Sequence, residues 1–187
     1  GIPRGAITML VGPVSSGRTT LALSILCRAT GDGEVCAVID TNDALDPATA
    51  GAASIDLDQL LWVRCGGDLG HALKATELVL QSGGFGVVVL DIGNLTRKQE
   101  SEIPSPVWFR FRRAVENSCT CLIVIGPGQM PSACASLVLE FDAGAARWAG
   151  GEFAPLLGLD LNIRRRKPVP EGRSTRVVTS VPHDILE

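Results

Sequence analysis

The chain has 187 residues, of which 45% are hydrophobic and 20% charged, with a formal net charge of −3. That balance describes a well-buried globular chain and excludes a disordered one. No apolar run approaches the length of a membrane-spanning helix, and the N-terminus lacks the charged-then-apolar plan of a signal peptide, so a cytoplasmic protein without membrane contact is expected.

The length fits a single domain over 1–187, with a first half over 1–91 and a second over 92–187. An acidic domain is a poor candidate for holding nucleic acid by charge alone. The chain begins at Gly1 rather than Met, so a preceding segment is expected.

In chain order, the turn-rich residues 1–5 lead into an apolar strand over 6–11. Gly12-Pro13-Val14-Ser15-Ser16-Gly17-Arg18-Thr19-Thr20 follows and opens onto a helix over 18–30. Strand, glycine-bounded loop and helix are the context of a phosphate-binding P-loop. Its backbone N–H groups and the positive end of the helix dipole converge where phosphates would sit. Gly12 and Gly17 supply the backbone freedom such a loop needs. Pro13, Ser15, Ser16 and Thr20 complete the cradle, and the Thr19 hydroxyl is the expected Mg²⁺ ligand. The position that ordinarily carries lysine carries Arg18.

The helix stops at Gly31-Asp32-Gly33, a glycine exit. A buried strand over 34–40 ends in Asp40, a loop covers 41–46, and Pro47 suits the first position of a short helix through 53. A strand over 60–65 and a helix over 69–81 come next. The apolar run 87–90 then delivers Asp91 at a strand end, the second half of a P-loop pair and the expected partner for Mg²⁺. A polar loop is predicted over 92–106. The helix predicted over 107–117 places Trp108, Phe111 and Val115 on one core-facing side.

Further strands are predicted over 120–125 and 136–141. An antiparallel pair over 158–163 and 176–181 flanks a basic loop over 164–173. Strands alternating with helices make the fold class α/β, with a mainly parallel twisted sheet and an antiparallel C-terminal extension. The six cysteines lack a C-x-x-C pair and read as reduced thiols, four of them in apolar runs. His71 and His183 have no acidic or Cys neighbours at ligand spacing. Trp62 reads as core, and Trp148, among small residues, as a partner-facing anchor.

Several collinear strings resemble the RecA recombinase family. They are Ile2-Pro3-Arg4-Gly5, the loop Gly12 to Leu21, Ile39-Asp40 with Ala44-Leu45-Asp46-Pro47, and Ile55-Asp56-Leu57-Asp58-Gln59-Leu60-Leu61. The resemblance implies a RecA-like P-loop NTPase fold with ATP and Mg²⁺ as ligands. By position it puts Asp46 near the adenine and Asp91 near Mg²⁺. Arg164 and Arg166 resemble a basic pair that reaches the nucleotide of a neighbouring protomer. Arg165 with Lys167 is the other register, and a solvated basic strand end the plain alternative.

The departures point away from catalysis. The glutamate that activates water in that family is replaced by Asn42, a neutral amide and a poor general base. Asp43 is adjacent, but a one-residue shift aims a side chain elsewhere. Arg18 keeps a charge near the phosphates, yet a planar guanidinium is no simple substitute for an ammonium. The two loops that hold DNA in the family are pared down. The first keeps only Arg97 and Lys98 as cations, the second is cut to 126–131, and the nucleotide-sensing glutamine is replaced by Gly126 or Pro127.

A pared RecA core of this kind is similar to ImuA-type (SulA-like) proteins of damage-induced mutagenesis, on the phrases Leu61-Trp62-Val63-Arg64-Cys65 and Trp108-Phe109-Arg110-Phe111-Arg112-Arg113-Ala114. Three readings follow. One is an ATP-binding accessory of bacterial DNA repair and SOS mutagenesis with weak or absent hydrolysis. Its implied partners are a RecA-type recombinase or an inactive Y-family polymerase relative, with only weak contact to single-stranded DNA. The second is an active DNA-dependent ATPase, and the third a scaffold that binds no nucleotide.

Overall fold

The computed structural model describes residues 1–93, 95–127, 132–148, 156–168 and 174–180, with the backbone alone at 97, 100, 101, 145–148, 156–159 and 174–180. Residues 128–131 of the second expected DNA loop, His183, and the side chains of Arg97 and Trp148 therefore lie outside the described residues.

Four apolar runs make the centre of the sheet: β1 (Ala6–Val11), β2 (Cys36–Asp40), β4 (Val87–Asp91) and β5 (Cys121–Gly126). All of β2 and β5 is buried, as expected of strands covered on both faces. With β3 (Leu60–Arg64), β6 (Leu137–Phe141), β7 (Ala145–Trp148) and β8 (Leu156–Lys167), the strand order is β3-β2-β4-β5-β1-β6-β8-β7. A last strand, β9 (Ser174–Ser180), pairs with β8. From β3 to β6 every pairing is parallel, and the pairings of β8 are antiparallel. The architecture is the expected α/β sheet with an antiparallel C-terminal extension.

Strand alternation divides the core between two faces. Leu10, Val38, Val89 and Ile123 pack with Ala22 and Leu26 of α1 (Arg18–Gly31) and Ala50 of α2 (Pro47–Ala52). Met9, Ile39, Leu90 and Val124 pack with Ala72 and Leu80 of α3 (Leu69–Ser82) and with Trp108, Phe111 and Val115 of α5 (Ser105–Glu116). The Trp108 and Phe111 rings meet edge to face, their centroids 6.0 Å apart. Each such fully buried side chain contributes about 1.5–3 kcal/mol through removal from water. Four of the six thiols, Cys36, Cys65, Cys121 and Cys134, are buried, and burial pushes the Cys121 thiol up to about 11.

Three stretches differ from the sequence reading. The loop expected over 92–106 contains α4 (Arg97–Glu102), and α5 starts at Ser105. Thr96 and Gln99 cap α4 reciprocally: the Thr96 N–H donates to Gln99 Oε1 at 3.0 Å and the Gln99 N–H to Thr96 Oγ1 at 3.3 Å. Pro106 does not break α5, because a proline in the first turn gives up only an N–H that has no helical partner. In place of the expected basic loop from 164, β8 continues to Lys167, with Arg164 held by Glu140 and Lys167 by backbone carbonyls. The small-residue stretch after β6 contains β7, which its composition did not announce.

Candidate functional site

The parallel strands β1, β2, β4 and β5 end at one rim of the sheet, where Asp40 pairs with Asp91 and Val11 with Gly126. The loop over 12–17, the expected P-loop, leaves β1 at this rim and turns into α1. Its first glycine packs tightly: a Cβ on Gly12 would stand 2.4 Å from the Phe141 carbonyl oxygen, so only glycine lets the loop lie there. Gly17, at φ 91°, forms the N-cap of α1 without a side-chain cap, and the first turn carries no acidic residue. The leading N–H groups of a 14-residue helix thus have no side-chain acceptor, which is the electrostatic requirement for an anion. Ser16 adds a hydroxyl on a residue only 1% exposed, with no partner among the described residues.

A cavity of about 240 Å³ opens beside this loop, between α1 and the β2–α2 connection. Thr19, Asp40, Asp46, Thr49 and Asp91 supply its polar groups, and Leu23, Leu26, Val38 and Ile125 part of its apolar wall. Three of the expected ligand-binding groups, Thr19, Asp46 and Asp91, therefore line one cavity. Among the described residues no aromatic ring lines it. Among the described residues no cluster of three or more metal-ligating side chains occurs, so Thr19 and Asp91 fit a Mg²⁺ that arrives with a polyphosphate and shares its oxygens. Burial pushes Asp91 above the usual carboxylate range, with Asp40 adding to the rise; the Gly93 N–H, at 2.8 Å, and Arg18 oppose it.

Arg18 is buried. Its guanidinium donates to the Gly126 carbonyl at the end of β5. Burial lowers its pKa and Asp91 works the other way. Asp46 also caps α2, accepting from the Ala48 and Thr49 N–H groups at 3.3 and 2.9 Å and from the Thr49 hydroxyl at 2.6 Å. These bonds, the hydroxyl's first, hold its carboxyl below the ordinary value.

The β2–α2 loop is fixed by a side chain to which the sequence reading assigned no role. Asp40 accepts from the Ala44 and Leu45 N–H groups at 3.0 and 2.8 Å and from Trp62 Nε1 at 3.2 Å. Trp62, expected in the core, packs half-buried against it and through its Nε1 also serves this loop. Arg64 lies over the Trp62 ring, 5.0 Å from its centroid, and bonds Asp43 at 3.0 Å. So held, the loop turns Asp43 to the edge strand β3. Asn42 instead lies against Gly93, its Nδ2 2.2 Å from where a Cβ there would stand, beside the end of β4 that carries Asp91. The signal in the sequence was a strand-end acid, Asp40, followed at four and five residues by backbone that needs an anchor.

The expected basic pair is not in this cavity. Arg164 bonds Glu140 at 3.0 Å, and Arg166 approaches the same carboxylate at 3.9 Å. Of the alternative pair, Lys167 donates to the Ser132 and Ala133 carbonyls at 3.2 and 3.0 Å. Glu140 pairs with Val11 across β6 and β1, so Arg164 lies level with the root of the P-loop.

Comparison with known proteins places these features in context. Residues 1–104 match the model of the RecA N-terminal domain family. The chain is 46% identical over 103 residues to Protein RecA of Deinococcus radiodurans, covering 54% of this chain and 28% of that protein. It is 44% identical over 104 residues to Protein RecA of Symbiobacterium thermophilum, covering 54% and 29%. The match thus spans under a third of these relatives. The fold is similar to that of the RadB recombinase crystal structure, with a TM-score of 0.67 and 17% identity, over 94% of this chain and 88% of that one.

Proposed function

The chain belongs to the RecA N-terminal domain family, and from that premise we propose that it binds ATP with Mg²⁺ in the cleft described, hydrolyses it poorly, and acts in bacterial DNA repair through protein partners. One observation carries the reading. Asn42, which on this reading stands where a proton acceptor is needed, presents an amide against Gly93, while the neighbouring carboxylate, Asp43, is bonded to Arg64 on the edge strand. An amide cannot take the proton of an attacking water, and general-base help is worth roughly 10²–10⁴ in rate. The binding side of the cleft keeps its backbone cradle, the Ser16 hydroxyl, Thr19 and Asp91.

Bound Mg²⁺ would neutralise phosphate charge. The residues of this chain that would hold it are Thr19 and Asp91, with the P-loop N–H groups on the phosphates and Asp46 and Thr49 on the nucleoside side. The relatives carry the name Protein RecA and the similar solved structure is a recombinase by name, so the partners proposed are a RecA-type recombinase and, for the SOS mutagenesis reading, an inactive Y-family polymerase relative. Any contact with single-stranded DNA is weak, given an acidic chain. For Arg164 or Arg166 to reach a neighbouring protomer's phosphate, that phosphate must displace Glu140.

Calorimetric titration with ATP and Mg²⁺, paired with steady-state phosphate release in the presence of single-stranded DNA, tests the proposal. Saturable binding with release near background is expected. DNA-stimulated release well above background that disappears in Asp91→Ala would replace it with the active-ATPase reading. The buried Arg18 favours one other reading, a nucleotide-free scaffold. Absence of any heat or thermal shift at saturating ATP would establish that reading instead.

A further inference from the structure

Asp40 is only 1% exposed, and a buried carboxylate is costly unless hydrogen-bond donors surround it. Two of its donors, the Ala44 and Leu45 N–H groups, belong to the loop that walls the cleft. The third, Trp62 Nε1, comes from β3, the strand at the edge of the sheet. Trp62 pairs with Val38 on β2, two residues before Asp40, so its indole lies on the same face and its N–H reaches the carboxylate. An indole nitrogen donates and does not accept, so the bond runs one way only.

The indole is held in its turn. Trp62 packs against the core cluster that contains Leu26 and Val38. Arg64 lies over the ring while it bonds Asp43. The loop is thus gripped at Asp43, Ala44 and Leu45, and each grip leads, directly or through Asp40, to residues 62–64 of β3. Across the cavity from Ala44, Leu45 and Asp46 stand Leu23 and Leu26 of α1. The width of that slot depends on where the loop stands, and so on Asp40 and Trp62.

We propose that Trp62 is the positioning residue for the nucleoside side of the cleft, holding the 44–46 wall at the distance from α1 that a nucleoside needs. Trp62 does not line the cavity and acts through Asp40. The proposal rests on the nucleotide-binding reading above, in which phosphates lie on the loop over 12–17 and the nucleoside lies against residues 44–49. Trp62 serves only the second contact.

Calorimetry on the full chain with Mg²⁺ and two ligands, ATP and inorganic tripolyphosphate, tests this in the wild type and in Trp62→Phe. The substitution keeps an aromatic ring beneath Arg64 but removes the N–H. ATP affinity falls about tenfold, the size expected for one hydrogen bond to a charged group. Tripolyphosphate affinity stays at the wild-type level. A merely structural role would lower both affinities together, and that result overturns the proposal, as does an unchanged ATP affinity. If the wild type binds no ATP, the nucleotide-binding reading itself falls, and the proposal with it. Should Trp62→Phe fail to fold, hydrogen–deuterium exchange on the wild type decides. ATP must then slow exchange over 41–49 and 60–65 together, and tripolyphosphate over neither. ATP protection over 41–49 without any over 60–65 overturns the role of Trp62 and leaves nucleotide binding standing.

Discussion

The two walls of the cleft differ in what they are built from. The loop over 12–17 offers backbone: glycine at 12 and 17 and a helix N-terminus without a side-chain cap, the means of binding on the proposed reading. The β2–α2 wall acts through single side chains, and there a neutral amide stands beside Asp91 while the adjacent acid, Asp43, is tied to Arg64. Backbone sites survive most substitutions because few side chains take part. A chemical role held by one side chain is lost with one change. On the proposed reading binding and hydrolysis are separable, and the largest expected effect comes from altering the second wall. Asn42→Glu, placed against Gly93 where no Cβ obstructs it, should raise phosphate release about 10²-fold, the lower range for a general base. Steady-state release at saturating ATP reads this. Unchanged release with binding intact would show that position 42 is not what the cleft lacks.

The converse break damages the binding wall. Gly12→Ala forces a Cβ to within 2.4 Å of a backbone oxygen, Phe141 O, which cannot swing aside as a side-chain tip would. The P-loop must lift from β6, and ATP affinity should fall by at least about tenfold, equivalent to roughly 1.4 kcal/mol. Calorimetry gives the affinity, and circular dichroism checks that the sheet persists. Affinity equal to wild type would mean that the cradle does not depend on this close approach.

These two walls were also unequally legible in the sequence. The strand, glycine-bounded loop and helix over 6–31, the strand that ends at Asp91 and the core strands declared themselves because glycine spacing and continuous apolar runs arise in few competing structural contexts. The loop wall did not. Asp40 was visible only as a strand-end acid; its grip on Ala44, Leu45 and Trp62 depends on β3 lying beside β2, a long-range pairing. The bond from Arg18 to Gly126 joins residues 108 apart and was equally hidden. Helix α4 was missed for a nearer reason: proline and polar composition outweighed the Thr96 and Gln99 cap. The strand character of Arg164 to Lys167 was masked by charge, since the pairing with Glu140 lies outside any local pattern.

The Asp91 carboxylate belongs to both walls, and pH sharpens the contrast between them. Its pKa in the fold is raised by burial above the ordinary value of 3.8. Protonation in the fold therefore begins at higher pH than in the unfolded chain, and the stability it contributes is full below 3.8 and lost as pH rises through the folded value. Mg²⁺ needs the ionised form, so metal-dependent ATP affinity should move in the opposite sense and weaken several-fold as pH falls through that same window. Titrations at stepped pH, compared with Asp91→Asn, measure both. The substitution should flatten the affinity profile and remove its share of the stability slope. An affinity that stays constant across the window would take Asp91 out of the metal site.

The smallest effect should come from freeing Asp43. Arg64→Ala removes the ion pair and the contact over Trp62, both on a side chain 59% exposed, so solvent screening limits the loss of stability to about 0–1 kcal/mol. Asp40 still holds the loop through Ala44 and Leu45, so the backbone at 42 and 43 keeps its course and Asp43 still projects from the edge-strand side. Phosphate release should therefore stay at the wild-type level, in contrast to Asn42→Glu. A rise in release on removing Arg64 would mean that Asp43 reaches the reacting water once unpaired. Arg64, rather than Asn42, would then be the residue that keeps this cleft from turning over.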